Sequence, residues 1–258
     1  MLFDIVSDLH VEKWKNSGYE YNWNLKKKNN SVIIAGDVSN NIDTVLDELK
    51  VACSCYQNVL YIDGNHEYIN NYHDFNTVIN KINDGMQDYS NFYYLRKRDF
   101  IFENKVIIGA NGWWDFRFME PSVSRFDSMK NFDTTLWGNG ISKNVIVRNI
   151  VSGAVGDFMN LQYKVKEYCK KYEICIVSHS VPNCSLVKKN NFKCSYLGNS
   201  LFQNLFYIKN VKYFIYGHDH SKTGVSICFG KKCFNNARGC YGDSFNRVDY
   251  EPLVFNFS

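Results

Sequence analysis

The chain has 258 residues, of which 45% are apolar and 22% charged, the composition of a globular protein with one sizeable core. A formal net charge of +4 is too small to indicate a nucleic-acid-binding protein, and no run of 18 apolar residues predicts a membrane span. The first residues lack a signal-peptide pattern, so we expect a cytoplasmic protein whose nine cysteines stay reduced.

Short runs of apolar, mostly β-branched or aromatic residues recur along the chain, and each ends in polar residues. Continuous apolar runs of four to six residues predict buried strands that are covered on both faces. The predicted strands are residues 2–6, 31–35, 58–62, 174–177 and 213–216. A hairpin is predicted near the end of the chain, over residues 225–229 and 233–235.

Helical patterns alternate with these strands. Residues 42–53 carry an apolar stripe after Asn40 or Asn41, either of which could act as the N-cap, and further helices are predicted over 158–170 and 201–207. This alternation predicts one layered α/β domain over residues 1–258. An aromatic-rich insertion at about 111–160 is expected to form either a covering layer or a substrate-facing cap.

Polar side chains follow five of the predicted strands at the point where each strand ends. In α/β sheets, ligands bind beyond the carboxyl ends of the strands. We therefore expect the polar residues there to share one crevice. They are Asp8, His10, Asp37, Asn65, His66, His179, His218 and His220.

The distribution of histidines is the sharpest signal in the sequence. Five of the six histidines lie at these strand ends, and His73 alone is expected on a surface helix. A lone histidine is usually a surface or hydrogen-bonded core residue. Five of them mixed with carboxylates would be costly to bury without a cation. Imidazole and carboxylate ligands together suit zinc, manganese, iron or a similar divalent ion.

Five short motifs resemble, in order, those of the calcineurin-like metallophosphoesterase family, and they span residues 8–220. They are Asp8-Leu9-His10, Gly36-Asp37, Gly64-Asn65-His66-Glu67, Ser178-His179 and Gly217-His218-Asp219-His220. A single Asp-x-His is weak, but the full ordered set is specific. A looser resemblance to a bacterial and phage subgroup covers residues 111–116, 129–132 and 236–239, although Ala237 stands where that subgroup usually has Pro.

The resemblance implies an α/β fold, a sandwich of two mixed sheets flanked by helices, with the active site at the carboxyl ends of the strands. It implies two divalent transition-metal ions, manganese first, with iron, zinc or nickel as alternatives. The implied ligands are Asp8, His10 and His220 for the first ion, Asp37 as the bridge, and Asn65, His179 and His218 for the second.

The resemblance also implies a reaction. A hydroxide shared by the two cations, about 3.5–4 Å apart, attacks phosphorus in line with the leaving oxygen. His66 is then the catalytic residue that stabilises the phosphoryl charge or protonates the leaving group. Glu67 is interpreted as a structural carboxylate or one that orients an imidazole, and Asp219 is expected to point away from the metals.

Several functions are compatible with this fold. The leading hypothesis is hydrolysis of a small-molecule phosphate ester. A scaffold without activity is disfavoured because every expected ligand is present, and fold alone does not fix function. A nuclease is disfavoured by the low net charge, and a protein phosphatase by the short chain, which leaves little docking surface. The sequence fixes no oligomeric state.

The choice between ester types depends on the charge of the substrate. A diester carries one negative charge and needs fewer basic side chains than a dianionic monoester, and Arg238 is the obvious basic residue near the motifs, with Arg117 and Arg125 in the insertion. If strand alternation persists at Trp113 and Trp114, one of the two is in the core and the other is exposed and can face the cleft. We therefore expect Trp114 to stack on a flat group, for ~1–3 kcal/mol, and Arg238 to contact the phosphate. The alternatives are that the aromatic residues simply pack the insertion onto the sandwich and that Arg238 forms a structural ion pair.

Overall fold

The computed structural model describes residues 1–69, 75–118, 124–137, 142–187, 192–242, 244 and 247–258. Its first sheet has five strands in the order β11-β1-β2-β3-β4. All neighbours in it are parallel except β11, which pairs antiparallel with β1. These strands are β1 (Leu2–Val6), β2 (Ser31–Ala35), β3 (Asn58–Ile62), β4 (Phe92–Tyr94) and β11 (Leu253–Asn256).

The second sheet has six strands in the order β5-β6-β7-β8-β10-β9. Its four central strands are parallel, and an antiparallel strand closes each edge. The strands are β5 (Phe100–Phe102), β6 (Lys105–Ala110), β7 (Glu173–Ser178), β8 (Val211–Tyr216), β9 (Gly224–Cys228) and β10 (Lys231–Asn235). The five predicted strands and the hairpin are confirmed within one or two residues, and the predicted sandwich of two mixed sheets is confirmed as well.

The two sheets pack face to face, and side-chain alternation explains the continuous apolar runs. In β2, Ile33 and Ala35 point into the core between the sheets, whereas Val32 and Ile34 join the core under the flanking helices. Leu60 of β3 lies in the core between the sheets, next to Ile33. Because both faces of each central strand are buried, both alternating sets of side chains must be apolar.

Helices cover the outer faces of the sandwich. They are α1 (Val11–Trp14), α2 (Trp23–Lys26), α3 (Ile42–Cys55), α4 (Phe75–Gly85), α5 (Arg125–Asn131) and α6 (Lys143–Tyr168), with short 3-10 helices at His66–Tyr68, Thr135–Trp137, Cys184–Leu186, Phe192–Tyr196 and Ser200–Tyr207. The N-cap of α3 is Asn41, one of the two predicted candidates, and its side chain accepts hydrogen bonds from two backbone amides. Among the residues the structure describes, no helix is both long and apolar enough to cross a bilayer.

The prediction of a helix over residues 158–170 was wrong at its start. The helix α6 begins at Lys143, fifteen residues before the predicted start at Phe158. Its buried residues Ile146, Ile150, Ala154 and Leu161 form one stripe, but Gly153 and Gly156 weaken the helical pattern in the sequence. The predicted helix over 201–207 is a 3-10 helix, Ser200–Tyr207. His73 lies outside the described residues.

Candidate metal centre

The loops that follow β1, β2, β3, β7 and β8 meet at one edge of the sandwich. Backbone hydrogen bonds tie the loops together: the amide of Asp8 donates to the Gly36 carbonyl at 2.9 Å, and that of Gly217 donates to the His179 carbonyl at 2.9 Å. The seven predicted ligands are brought together there, with His66 beside them.

The first group consists of Asp8, His10 and His220, whose ligand atoms all lie within 4.8 Å of one another. The His220 Nε2 atom lies 3.1 Å from Asp8 Oδ1 and 3.4 Å from His10 Nε2. Asp8 and His10 are fully buried. One carboxylate and two imidazoles in this arrangement form a suitable ligand set for a divalent transition metal.

The second group is centred on His179. Its Nε2 atom lies 3.0 Å from Asn65 Oδ1, 3.1 Å from Asp37 Oδ2 and 3.2 Å from His218 Nδ1. The His179 Nδ1 atom faces the Ala35 carbonyl at 2.8 Å, and His218 Nε2 faces the Tyr196 carbonyl at 3.1 Å. Each carbonyl requires a proton on the nitrogen that faces it, so the opposite nitrogen of each neutral ring carries a lone pair. With His179 neutral, four electron-pair donors would converge, and a cation would satisfy them.

Asp37 connects the two groups. Its Oδ2 atom lies 3.9 Å from the Nε2 atoms of both His10 and His66, as well as next to His179. Among the residues that the structure describes, Asp37 is therefore the carboxylate that belongs both to a group with His10 and to a group with His179 and His218. This position fits the bridging role that the motif order implies.

Burial and neighbouring charges determine the protonation of these ligands. Burial, reinforced by His66, lowers the pKa of His10 to about 3. Burial, reinforced by His179, lowers the pKa of His218 to about 4. Burial alone would also lower the pKa of His179, but the Asp37 carboxylate raises it to about 10. Two imidazoles are thus neutral at pH 7, and a bound cation would displace the proton that His179 shares with Asp37.

The loops that carry the ligands have unusual backbone conformations. Asp8, His10, Asp37 and His218 all have positive φ, between 43° and 65°. A residue other than glycine in this left-handed conformation costs about 1–2 kcal/mol. Such strained residues cluster at functional sites. Gly36 has φ 83°, and a Cβ there would lie 2.6 Å from His179 Nδ1. A side chain at Gly36 would therefore separate two loops that must touch.

His66 and Glu67 leave the same turn in opposite directions. The His66 Nδ1 atom lies 2.5 Å from Asn40 Oδ1, which leaves its Nε2 atom directed towards Asp37. The fully buried Glu67 carboxylate accepts hydrogen bonds from the amides of Asp37, Val38 and Gly64. Asn40 therefore orients the predicted catalytic histidine. Asn40 was one of the two predicted N-caps of α3, but Asn41 is the cap.

The predicted exposure of one of the paired tryptophans was wrong, since Trp113 and Trp114 are 0% and 2% exposed. Strand alternation does not apply to them because β6 ends at Ala110. The Trp114 indole lies parallel to the His218 imidazole, with centroids 5.6 Å apart and planes at 9°, and Phe132 also contacts it. Trp114 packs against a predicted metal ligand, and its burial leaves no open face for the predicted stacking on a substrate.

The predicted substrate contact of Arg238 is also corrected, since this side chain is 2% exposed. Its guanidinium lies over the Trp14 ring, 3.7 Å from the centroid, and donates to the Tyr19 carbonyl. The backbone amide of Arg238 donates to the Ser7 carbonyl at 3.0 Å. Arg238 therefore packs behind the loop that carries Asp8, and its burial argues against contact with a phosphate group.

A model of the calcineurin-like phosphoesterase family matches residues 1–222, a range that contains every predicted ligand. The chain belongs to the calcineurin-like phosphoesterase family. It is a metal-dependent phosphoesterase, and the prediction made from the five motifs is confirmed at this level. No curated protein matches the sequence.

Solved structures support the same fold. Phosphopantetheinyl hydrolase from Mycobacterium tuberculosis is similar over 97% of this chain and 95% of that one, with a TM-score of 0.69 and 15% identity. A dimetal phosphatase from Danio rerio is similar over 92% of this chain and 87% of that one, with a TM-score of 0.54 and 14% identity. At this identity the likeness establishes the fold and not the substrate.

Proposed function

We propose that this enzyme hydrolyses a phosphodiester of a small molecule, such as a nucleotide, with two divalent metal ions as cofactors and manganese as the first candidate. We place it in the cytoplasm, in keeping with its nine free thiols. The single observation that carries the proposal is the convergence of Asn65 Oδ1, Asp37 Oδ2 and His218 Nδ1 within 3.0–3.2 Å of His179 Nε2.

The metal pair, when bound, supplies activation of the attacking water and neutralisation of phosphoryl charge. The protein fixes the geometry. The carbonyls of Ala35 and Tyr196 orient the rings of His179 and His218 towards the site. Asn40 fixes His66 with its Nε2 atom facing inwards. His66 is therefore placed to stabilise the phosphoryl charge or to hold a proton for the leaving oxygen.

The preference for a diester rests on the charges around the ligands. Among the described residues, no lysine or arginine forms an ion pair with Asp8 or Asp37, whose partners are histidines. Arg238 is occupied by Trp14 and Tyr19. A monoester dianion would gain more from additional cations than a diester, which carries one negative charge.

The test compares bis-nitrophenyl phosphate with nitrophenyl phosphate after chelation and after adding back manganese, nickel, zinc or magnesium. We expect no hydrolysis by the chelated protein, recovery with a transition metal, and a higher kcat/KM for the diester. Asp219→Asn is a matched control for changes at the ligands, because the Asp219 carboxylate accepts hydrogen bonds from Ser221 and not from a ligand. A higher kcat/KM for the monoester would contradict the diester assignment.

A further inference from the structure

A cavity of about 210 Å³ is lined by residues outside the ligand set. Its lining comes from the segments that follow β6 and β7, together with the start of the 3-10 helix Ser200–Tyr207. The lining includes Arg117, Pro182, Asn183, Ser200 and Gln203. Most of them offer hydrogen-bonding groups, so the cavity suits a polar ligand.

The cavity and the metal centre share one edge of the second sheet. The strands β6 and β7 are parallel neighbours, and the chain leaves the carboxyl end of each to line the cavity. Pro182 comes three residues after His179, so their Cα atoms lie at most about 11 Å apart. Arg117 comes three residues after Trp114, whose ring stacks on His218. The lining therefore begins within about 11 Å of His179, a span that a nucleotide-sized molecule can bridge.

The charge at the cavity is positive. Arg117 lines the cavity, and Arg125 lies near it and donates from Nε to the Asp115 carbonyl. The pKa of Arg125 is lowered by burial and then by Arg117, and the Asp115 carboxylate offsets part of this shift. Asp115 is the nearby acid, and its carboxylate already accepts hydrogen bonds from Ser200 and from the Arg117 amide. Within the described part of the chain, neither guanidinium forms an ion pair with a carboxylate. Arg117 therefore remains available to an anion.

We propose that this cavity binds a second anionic group of the substrate, such as a phosphate, while the scissile diester lies at the metal centre. The inference rests on the proposed function, and it specifies the substrate class as a phosphodiester with a distal phosphate. A volume of about 210 Å³ is below the ~300–1,000 Å³ of a site that encloses a whole small molecule, so one end of a ligand fits. Arginine is the side chain best matched to phosphate geometry.

Two substrates that differ only in the distal group test this assignment. Thymidine 5′-(nitrophenyl phosphate) carries the scissile diester alone, and its 3′-phosphorylated form adds one distal phosphate. We expect the phosphorylated form to have a kcat/KM about ten- to a hundredfold higher in the wild type, the effect of charge-assisted hydrogen bonds. Arg117→Gln should bring the ratio of the two values close to one.

Arg98→Gln is the matched control, because Arg98 is also exposed but lies over Tyr93 and bonds to the carbonyls of Ser90 and Phe92. It should keep the wild-type ratio. A wild-type ratio near one, or a ratio unchanged by Arg117→Gln, would overturn the assignment.

Direct binding separates this inference from the proposed function. Calorimetry should show that thymidine 3′,5′-bisphosphate binds the wild type about tenfold or more tightly than thymidine 5′-phosphate, and that Arg117→Gln removes the difference. If neither diester is hydrolysed but this difference is present, the proposed diesterase function fails and the anion site stands. Equal affinities for the two ligands would overturn the anion site, whatever the enzyme hydrolyses.

Discussion

The Glu67 carboxylate accepts a hydrogen bond from the Val38 amide at 2.8 Å, and it also bonds to the amide of Gly64 at 2.8 Å. One buried side chain thus joins the loop that carries Asp37 to the loop that carries Asn65. Glu67→Gln replaces one acceptor oxygen by an NH₂ group that faces backbone donors. We expect the free energy of unfolding to fall by about 1–3 kcal/mol, the cost of an unsatisfied buried donor, and metal affinity to fall with it.

Urea unfolding and calorimetric titration with Mn²⁺ measure the two effects of Glu67→Gln. Glu48→Gln is a suitable control, since Glu48 also accepts an N–H donor, from Trp23 at 2.6 Å, on α3 and away from the ligands. The control should lose stability without losing metal affinity. Wild-type metal affinity in Glu67→Gln would show that its bonds serve folding alone.

Asp37 should be the most sensitive of the ligands. Asp37→Asn keeps the shape but removes the charge of the carboxylate that faces His10, His66 and His179. Loss of a residue that only supports a ligand typically lowers metal affinity ~10–100-fold. We expect Asp37→Asn to lower it by more than that and to abolish hydrolysis. Elemental analysis of the purified variant measures the bound metal, and kcat/KM for bis-nitrophenyl phosphate measures hydrolysis. Two bound metals and full activity in Asp37→Asn would refute the proposed site.

His66 should affect turnover and not metal content. Its ring is held by Asn40 at 2.5 Å and lies 3.9 Å from Asp37, at the margin of the ligand groups. His66→Gln should lower kcat by about 10²–10⁴-fold while metal content stays near that of the wild type. If His66 protonates the leaving group, the loss is smaller for nitrophenyl esters than for alkyl esters. An equal loss for both classes indicates charge stabilisation, and loss of bound metal would contradict the assignment.

Most of the site could be predicted because its residues follow strands that are easy to recognise. The runs before Asp8, Asp37 and His179 are apolar on both faces, so the ends of those strands, and the crevice, follow from the sequence. The strand β6 escaped prediction although Val106, Ile107 and Ile108 are fully buried. Its short apolar core is flanked by Lys105 and Gly109, which weaken the strand pattern.

Sequence patterns could not predict the contacts between residues that are far apart in the chain. Glu67 was interpreted correctly as a supporting residue, but its three backbone donors come from turns that only the fold brings together. Trp114 was misassigned because its burial depends on His218, over one hundred residues later in the chain. Arg238 was misassigned for the same reason, since its partners Trp14 and Tyr19 lie near the other end of the chain.

The ligand histidines predict how the stability of the metal-free protein depends on pH. The lowered pKa values of His10 and His218, about 3 and 4, mean that below pH 6.5 the unfolded chain binds protons that the folded protein does not. Stability therefore rises from pH 4 to 6.5. The raised pKa of His179, about 10, contributes stability that is complete below pH 6.5 and is lost as pH rises towards 10. The chelated protein should be most stable between pH 6 and 7.

Urea unfolding of the chelated protein at pH 5, 6.5 and 9 checks this optimum. Between pH 6.5 and 9 the proton at His179 contributes a slope of about 1.4 kcal/mol per pH unit, and the raised pKa values of Glu67, about 8, and of His220 add to it in the same direction. His179→Asn should reduce this alkaline limb and leave the acidic limb, because His10 and His218 remain. Protein saturated with Mn²⁺ should also have a smaller alkaline limb, since a bound cation replaces the proton on His179. A chelated wild type that is equally stable at pH 6.5 and pH 9 would show that Asp37 and His179 do not share a proton in the folded protein.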